Sequence, residues 1–424
     1  MTFTTALRPI MFTTTAAILA AGRLFADPGG PIPERATLDL SIRQHRMGTI
    51  VVAAPPGTTV QVEQLRHEFW FGASLPNQAF DGSWSPTDTE RYKQVFLENF
   101  NSAVTEVALK WLSMEPERGM VNYATVDAIL AWTDTHRIPL RGHNIYWGSH
   151  HWVQPWLKQL DDASLLATLK ARGEDIGRRY RGRFAEYDFN NEMIHGDFYV
   201  ERLGSGIRID MARWVKAQDP QAILFVNDYD ILTGKRLADY IAHIRELLAA
   251  GVPIEGIGVQ GHLHGDSFDP AALQHSLDEL AKLGLPIRVT EFNFPGQRSK
   301  FMDHPDLPIN AEEEQAKARA IVDYYRICFA HPSVTGILMW GFWEGANWIP
   351  QSSLFKRDWT PTPAGRAYRE LVYGEWWTRC SATIGADGRV SIPAFFGTYR
   401  VTIGGQAVTV DLRKQEGTAT ATAP

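Results

Sequence analysis

Between about residues 67 and 373 the chain alternates short apolar runs with longer stretches of helical period, and this alternation limits the folds open to it. Eight runs read as strands: Phe69–Ser74, Ala103–Val107, Leu140–Trp147, Tyr187–Glu192, Ile223–Tyr229, Ile257–His262, Ile287–Glu291 and Thr335–Trp340. Amphipathic segments such as Val126–Trp132 and Ala316–Tyr325 lie between them. Repeated βα units of this kind specify an α/β fold with a parallel sheet. Eight of them over about 300 residues fit the (β/α)8 TIM barrel, whose usual size is about 250 residues with room for insertions. A doubly wound open sheet is the competing arrangement, but no Gly-rich phosphate turn follows the first run. Every run except the first carries a polar or aromatic side chain at its C-terminal end, where such barrels place their chemistry.

The flanks follow a different pattern. Residues 27–66 and 374–415 alternate with period two, as in Ala36–Arg43, Gly48–Val52, Thr59–Val62, Gly388–Ile392, Gly397–Ile403 and Ala407–Leu412, so both read as antiparallel strands. Neither flank is long enough to enclose a core, and together they are expected to form one small β-sandwich beside the 67–373 barrel. Residues 416–424 read as a low-complexity, disordered tail. Residues 1–26 have the form of a signal peptide, with Arg8, an apolar stretch through Ile18–Ala21 and a Leu24–Ala26 end, which implies a secreted or periplasmic protein.

Composition removes several classes. A net charge of −6 without any long run of Lys and Arg gives no electrostatic footprint for nucleic acid. No segment reaches membrane-spanning length, so the mature chain is expected to be soluble, without a membrane partner, and monomeric. Cys328 and Cys380 are the only cysteines; Cys328 falls on an apolar helix face and reads as a free, inert thiol. The chain has 14 Trp, 13 Tyr and 21 Phe; most must be core, but flat aromatic faces also pack against pyranose rings.

Two glutamates at the ends of buried runs carry the chemistry: Glu192 after Asn190-Asn191, and Glu291 after Val289-Thr290. A pair of carboxylates on separate rigid strands facing one gap is the minimal equipment for cleaving a glycosidic bond. Glu192 is then the acid and base, with a raised pKa, and Glu291 the ionised nucleophile. Gln260 and His262 end the preceding run, where His262 could keep Glu291 ionised. Lys110, His143, Trp147, Trp340 and Trp348 stand at or after other run ends as donors and flat faces for a sugar. Two other readings compete. A metal hydrolase could draw on His143, His150, His151, His262 and His264, but the His262-Leu-His264 pair comes late in the fold for that use. A sugar-binding protein without turnover would be expected to have lost one of the two glutamates, and both are present.

Lys110-Trp111 with Glu115–Gly119, Arg141-Gly-His143 with Trp147, Asn191-Glu192, Asn227–Tyr229, Val259–Leu263, Thr290-Glu291 and Met339–Gly341 with Trp348 occur in order along the barrel. Together they resemble glycoside hydrolase family 10, the endo-β-1,4-xylanases; Arg66–Gly72 and Glu375–Thr378 resemble its plant-type and related bacterial members. The resemblance implies a retaining mechanism on a polysaccharide or oligosaccharide, with neither cofactor nor metal. It also implies sugar contacts from Glu106, Lys110, His143, Trp147, Asn191, Gln260, His262, Tyr229, Trp340 and Trp348. Two motifs depart from the pattern. Where the family has Glu-Asn-x-x-Lys-Trp, this chain has Glu106-Val107-Ala-Leu-Lys110-Trp111; after Trp147, His-Ser-Gln is replaced by Gly148-Ser149-His150. An intact catalytic pair with altered glycone subsites, acting on a decorated or different polymer, is therefore expected.

Overall fold

The computed structural model describes residues 34–263, 268–296 and 300–423. The expected signal peptide lies outside these residues, as does His264. The strands are, in chain order, β1 (Met47–Ala53), β2 (Thr59–His67), β3 (Trp70–Leu75), β4 (Ser102–Thr105), β5 (Leu140–Trp147), β6 (Glu186–Asn191), β7 (Leu224–Asp228), β8 (Gly256–Val259), β9 (Ile287–Phe292), β10 (Val334–Met339), β11 (Arg379–Thr383), β12 (Arg389–Phe395), β13 (Gly397–Ile403), β14 (Gln406–Leu412) and β15 (Thr418–Thr422).

Strands β3 to β10 are parallel and close into a barrel in sequence order, with β10 pairing β3. Helices cover the outside, so the strands are buried on both faces. Strands β4, β6, β7 and β9 are buried at every position, and for that reason they read as continuous runs rather than as alternations. Four charged residues buried on the barrel strands form one cluster. Arg141 on β5 bonds both Glu186 and Asp188, which share a face of β6, and Arg288 on β9 reaches Glu186 at 2.9 and 3.1 Å. The two cations and two anions balance, which makes their burial tolerable. The same cluster ties β5, β6 and β9 together beneath the catalytic end.

The flanks form two sheets, one in the order β12-β1-β15 and the other β11-β2-β13-β14. Their inward residues, including Ile50, Val52, Val60, Val62, Tyr399, Val401 and Ile403, make a core separate from that of the barrel. Two expectations for these regions fail. Residues Arg35–Arg46 are a helix, where strand was expected over Ala36–Arg43. Leu38, Leu40 and Ile42 satisfy period two, but Leu38 and Ile42 are also four apart and share a helix face; they are buried while Leu40 is 63% exposed. The helix packs against Ala311–Ala330, and its Arg46 guanidinium bonds the carbonyl oxygens of Phe329, His331 and Val334 at 2.6 to 2.7 Å. Phe329 and His331 lie at the C-terminal end of the Ala311–Ala330 helix, where carbonyls lack intrahelical partners, and Val334 opens β10. The second failure is the tail. Residues Thr418–Thr422 form β15, paired in parallel with β1, with Ala419 and Ala421 buried and the threonines outward. Thr-Ala-Thr-Ala-Thr is simple in composition, yet its alternation suits a strand with one buried face.

Among the described residues no helix is long and apolar enough to cross a membrane. Both cysteines are free, and Cys328 is buried.

Candidate active site

Glu192 lies one residue beyond β6 in the left-handed region, at φ 59° and ψ 37°. A non-glycine residue holds that conformation only where its surroundings fix it. Here its N–H donates to the Asn227 carbonyl at 2.8 Å, and its own carbonyl accepts from the His195 N–H at 3.0 Å. Trp147 Nε1 donates to Glu192 Oε2 at 2.9 Å and Gln260 Nε2 donates to Oε1 at 2.8 Å. Burial pushes this carboxyl up, the Gln260 and Trp147 donors oppose it, and the charges of Glu291 and Asp228 add to the rise, leaving it at about 7. A group so placed can deliver a proton at neutral pH and take one back.

Glu291 is the penultimate residue of β9 and is buried. Asn227 Nδ2 donates to its Oε1 at 2.9 Å, and His262 Nε2 lies 3.2 Å from its Oε2. His143 Nδ1 stands 3.8 Å from Oε1 while bonded to Asp188 Oδ2 at 2.8 Å. Burial alone would raise this carboxyl, but His143, His262 and Lys110 outweigh it and bring it down to about 2. The two carboxyls are joined by two residues. Asn227 takes the Glu192 N–H on its carbonyl and serves Glu291 with its amide; Gln260 serves Glu192 with its amide and accepts the Glu291 N–H on its carbonyl at 2.8 Å.

The remaining sequence-derived residues stand around this pair. Lys110 Nζ lies 4.9 Å from the Trp147 ring and 5.4 Å from the Trp340 ring. Glu106 accepts from Ser74 Oγ at 3.3 Å; its carboxyl, raised by burial, opposed by Lys110 and Ser74 and helped by Glu291, sits at about 7. His143 is almost wholly buried, with its ring against the Trp340 edge at 5.2 Å, so it supports Glu291 as much as it could touch a sugar. Asn191 Oδ1 accepts from Asn227 Nδ2 at 3.0 Å. Tyr229 stacks on His195, which Asp228 holds at 2.7 Å. Trp348 is 48% exposed on the loop after β10, with its ring 5.7 Å from that of His262.

Sequence reasoning did not assign Asn227 a role, although it is the amide common to both carboxyls. It ends a run beside Asp228 and Tyr229, and a polar residue at that position was the available signal. The supporting roles of Arg141 and Asp188 were also missed; charged residues inside otherwise apolar runs could have marked them. Among the described residues no group of three or more His, Cys, Asp or Glu side chains converges as a metal-binding set. His150 instead pairs with Glu201 at 2.8 Å on the surface.

Comparison with known proteins gives several relatives. The chain is 33% identical over 365 residues to the anti-sigma-I factor RsgI6 of Acetivibrio thermocellus, a match spanning 85% of this chain and 45% of that protein. It is 36% identical over 348 residues to endo-1,4-beta-xylanase 3 of Arabidopsis thaliana, spanning 81% of this chain and 43% of that one. The chain thus spans less than half the length of either relative. Among solved structures, xylanase 10B of Thermotoga petrophila RKU-1 in complex with xylobiose superposes with a TM-score of 0.64 at 25% identity, over 73% of this chain and 95% of the other. A family model, glycosyl hydrolase family 10, matches residues 63–371. That span takes in all eight barrel strands and both carboxyls, and the chain belongs to glycosyl hydrolase family 10.

Proposed function

We propose that this protein is a retaining glycosidase that cleaves internal β-1,4 linkages of xylan or a related decorated polysaccharide by double displacement. The observation that carries this reading is a pair of buried carboxyls bridged by Asn227 and Gln260, with burial pushing Glu192 up to about 7 and His143, His262 and Lys110 bringing Glu291 down to about 2. Ionised Glu291 attacks the anomeric carbon as Glu192 gives its proton to the leaving oxygen. Glu192, now a carboxylate, then takes a proton from the water that releases the sugar from Glu291. Asn191 is buried and its Nδ2 has no hydrogen-bond partner among the described residues, which leaves a fixed donor for a sugar hydroxyl next to the scissile bond. The names of the Arabidopsis and Thermotoga relatives support the choice of xylan.

The test is Glu291→Ala together with the anomeric configuration of the first-formed product by NMR. Loss of turnover and net retention are expected; near-wild-type activity or inversion overturns the assignment. A second reading, glycan binding without turnover, draws on Val107 in place of an amide. It predicts oligosaccharide binding with no reducing ends released from xylan, glucuronoxylan, arabinoxylan, mixed-linkage glucan or mannan. We further propose export with cleavage near Ala26 and a monomeric mature form, to be checked by N-terminal sequencing of the secreted protein and by light scattering.

A further inference from the structure

Beside the catalytic pair the barrel mouth holds a second cavity, of about 330 Å³, that no step of the double displacement uses. Lys110 and Trp147 are shared with the sugar site, Val107, Trp111, Leu112 and Trp152 give the cavity apolar walls, and Ser113, Gln154 and Tyr199 complete the lining. Trp152 stacks on Trp147 with ring centroids 4.7 Å apart and planes 18° from parallel. Both Val107 and Trp152 are more than a third exposed, an uncommon state for two large apolar side chains on one opening.

A second, independent observation concerns Gln154. It lines this cavity, is 1% exposed, and its Nε2 has no hydrogen-bond partner among the described residues. A buried amide donor is normally satisfied. Gln154 stands on the cavity wall, so a group bound there is the one placed to satisfy it.

We propose that this cavity binds a flat aromatic acyl group esterified to the polysaccharide, making the protein selective for chains that carry aryl esters; this rests on the glycosidase reading above. A bare sugar is the weaker occupant, because Val107 and Leu112 carry no donor or acceptor for the hydroxyls around a pyranose ring. An aromatic ring lies flat against Trp152 and the Val107 and Leu112 side chains. Its ester or ring oxygen accepts from Gln154. Because Trp147 bonds Glu192 by its ring nitrogen and stacks on Trp152, the group sits next to the acid/base rather than at a remote surface.

The experiment compares a xylo-oligosaccharide with the same molecule carrying one hydroxycinnamoyl ester on the glycone side, using the full chain. The esterified substrate is expected to show a kcat/KM about tenfold higher, through KM, the size of one stacked ring and one buried hydrogen bond. Trp152→Ala should reduce that ratio about threefold. Gln154→Leu, which retains the apolar packing, should also reduce it about threefold. A wild-type ratio at or below 1, or a ratio unmoved by both variants, overturns the proposal while cleavage of the plain substrate leaves the glycosidase reading intact. If neither substrate is cleaved, that reading fails, and methyl hydroxycinnamate binding followed by tryptophan fluorescence decides the cavity alone. Saturable binding lost in Trp152→Ala sustains it; no binding overturns it.

Discussion

Gln260→Met is a direct test of how the acid/base is tuned. Methionine matches glutamine closely in length and volume, so the buried position is filled without a cavity, but the Nε2 donor to Glu192 Oε1 at 2.8 Å is lost. That bond favours the ionised carboxylate, so its removal must raise the Glu192 pKa. A hydrogen bond to a charged group contributes about 1.5–3 kcal/mol, and one pH unit corresponds to about 1.36 kcal/mol. The Trp147 donor remains and takes up part of the loss, so the net change is set at the lower end, about one pH unit. Activity needs Glu192 protonated, and the basic limb of kcat/KM against pH should therefore move up from about 7 by that amount. The assay uses an oligosaccharide with a poor leaving group, which needs the acid. A limb that stays in place or moves down would show that Gln260 does not set the proton affinity of Glu192.

Other expectations follow from the same geometry. Glu192→Ala should depress turnover of oligosaccharides by orders of magnitude more than that of activated aryl glycosides, because only the former need protonation of the leaving oxygen; steady-state kinetics on both substrates measure this. Asn227→Asp puts a carboxylate where Glu291 Oε1 now accepts an amide, which disfavours ionised Glu291 and should raise the acid limb above its position near 2. Arg141→Met leaves Glu186 and Asp188 buried with one cation fewer and should cost about 3–5 kcal/mol in denaturant unfolding. Deleting residues 416–424 uncovers one side of β1 and should make the sandwich, but not the barrel, more sensitive to protease.

The barrel was legible because parallel strands buried on both faces leave a signal that nothing else in the chain imitates. The placement of Glu192 and Glu291 together at the barrel mouth was legible because both stand at the ends of strands in one parallel barrel. The failures came where one pattern served two structures. Leu38, Leu40 and Ile42 fit period two and Leu38 and Ile42 also fit a helix face, and packing against the Ala311–Ala330 helix selects the helix. The Thr418–Thr422 strand depends on β1, more than 360 residues away in sequence, so its local alternation alone did not reveal a partner. Asn227 was missed for a related reason. Its role lies in standing between two carboxyls that come from different strands, and a linear sequence does not show adjacency.

The pairing of β1 and β2 with β11 to β15 also orders events during synthesis. Strands β1 and β2 emerge first, but their partners follow only after about 300 residues of barrel. At about 5–20 residues per second that interval is tens of seconds. Throughout it, two strands with open edges wait beside a growing α/β domain. The sandwich can close only after all eight barrel strands have been made, so it acts as a clasp that registers completion. A chain halted inside the barrel keeps those edges unpaired and open to association with other chains or to proteolysis.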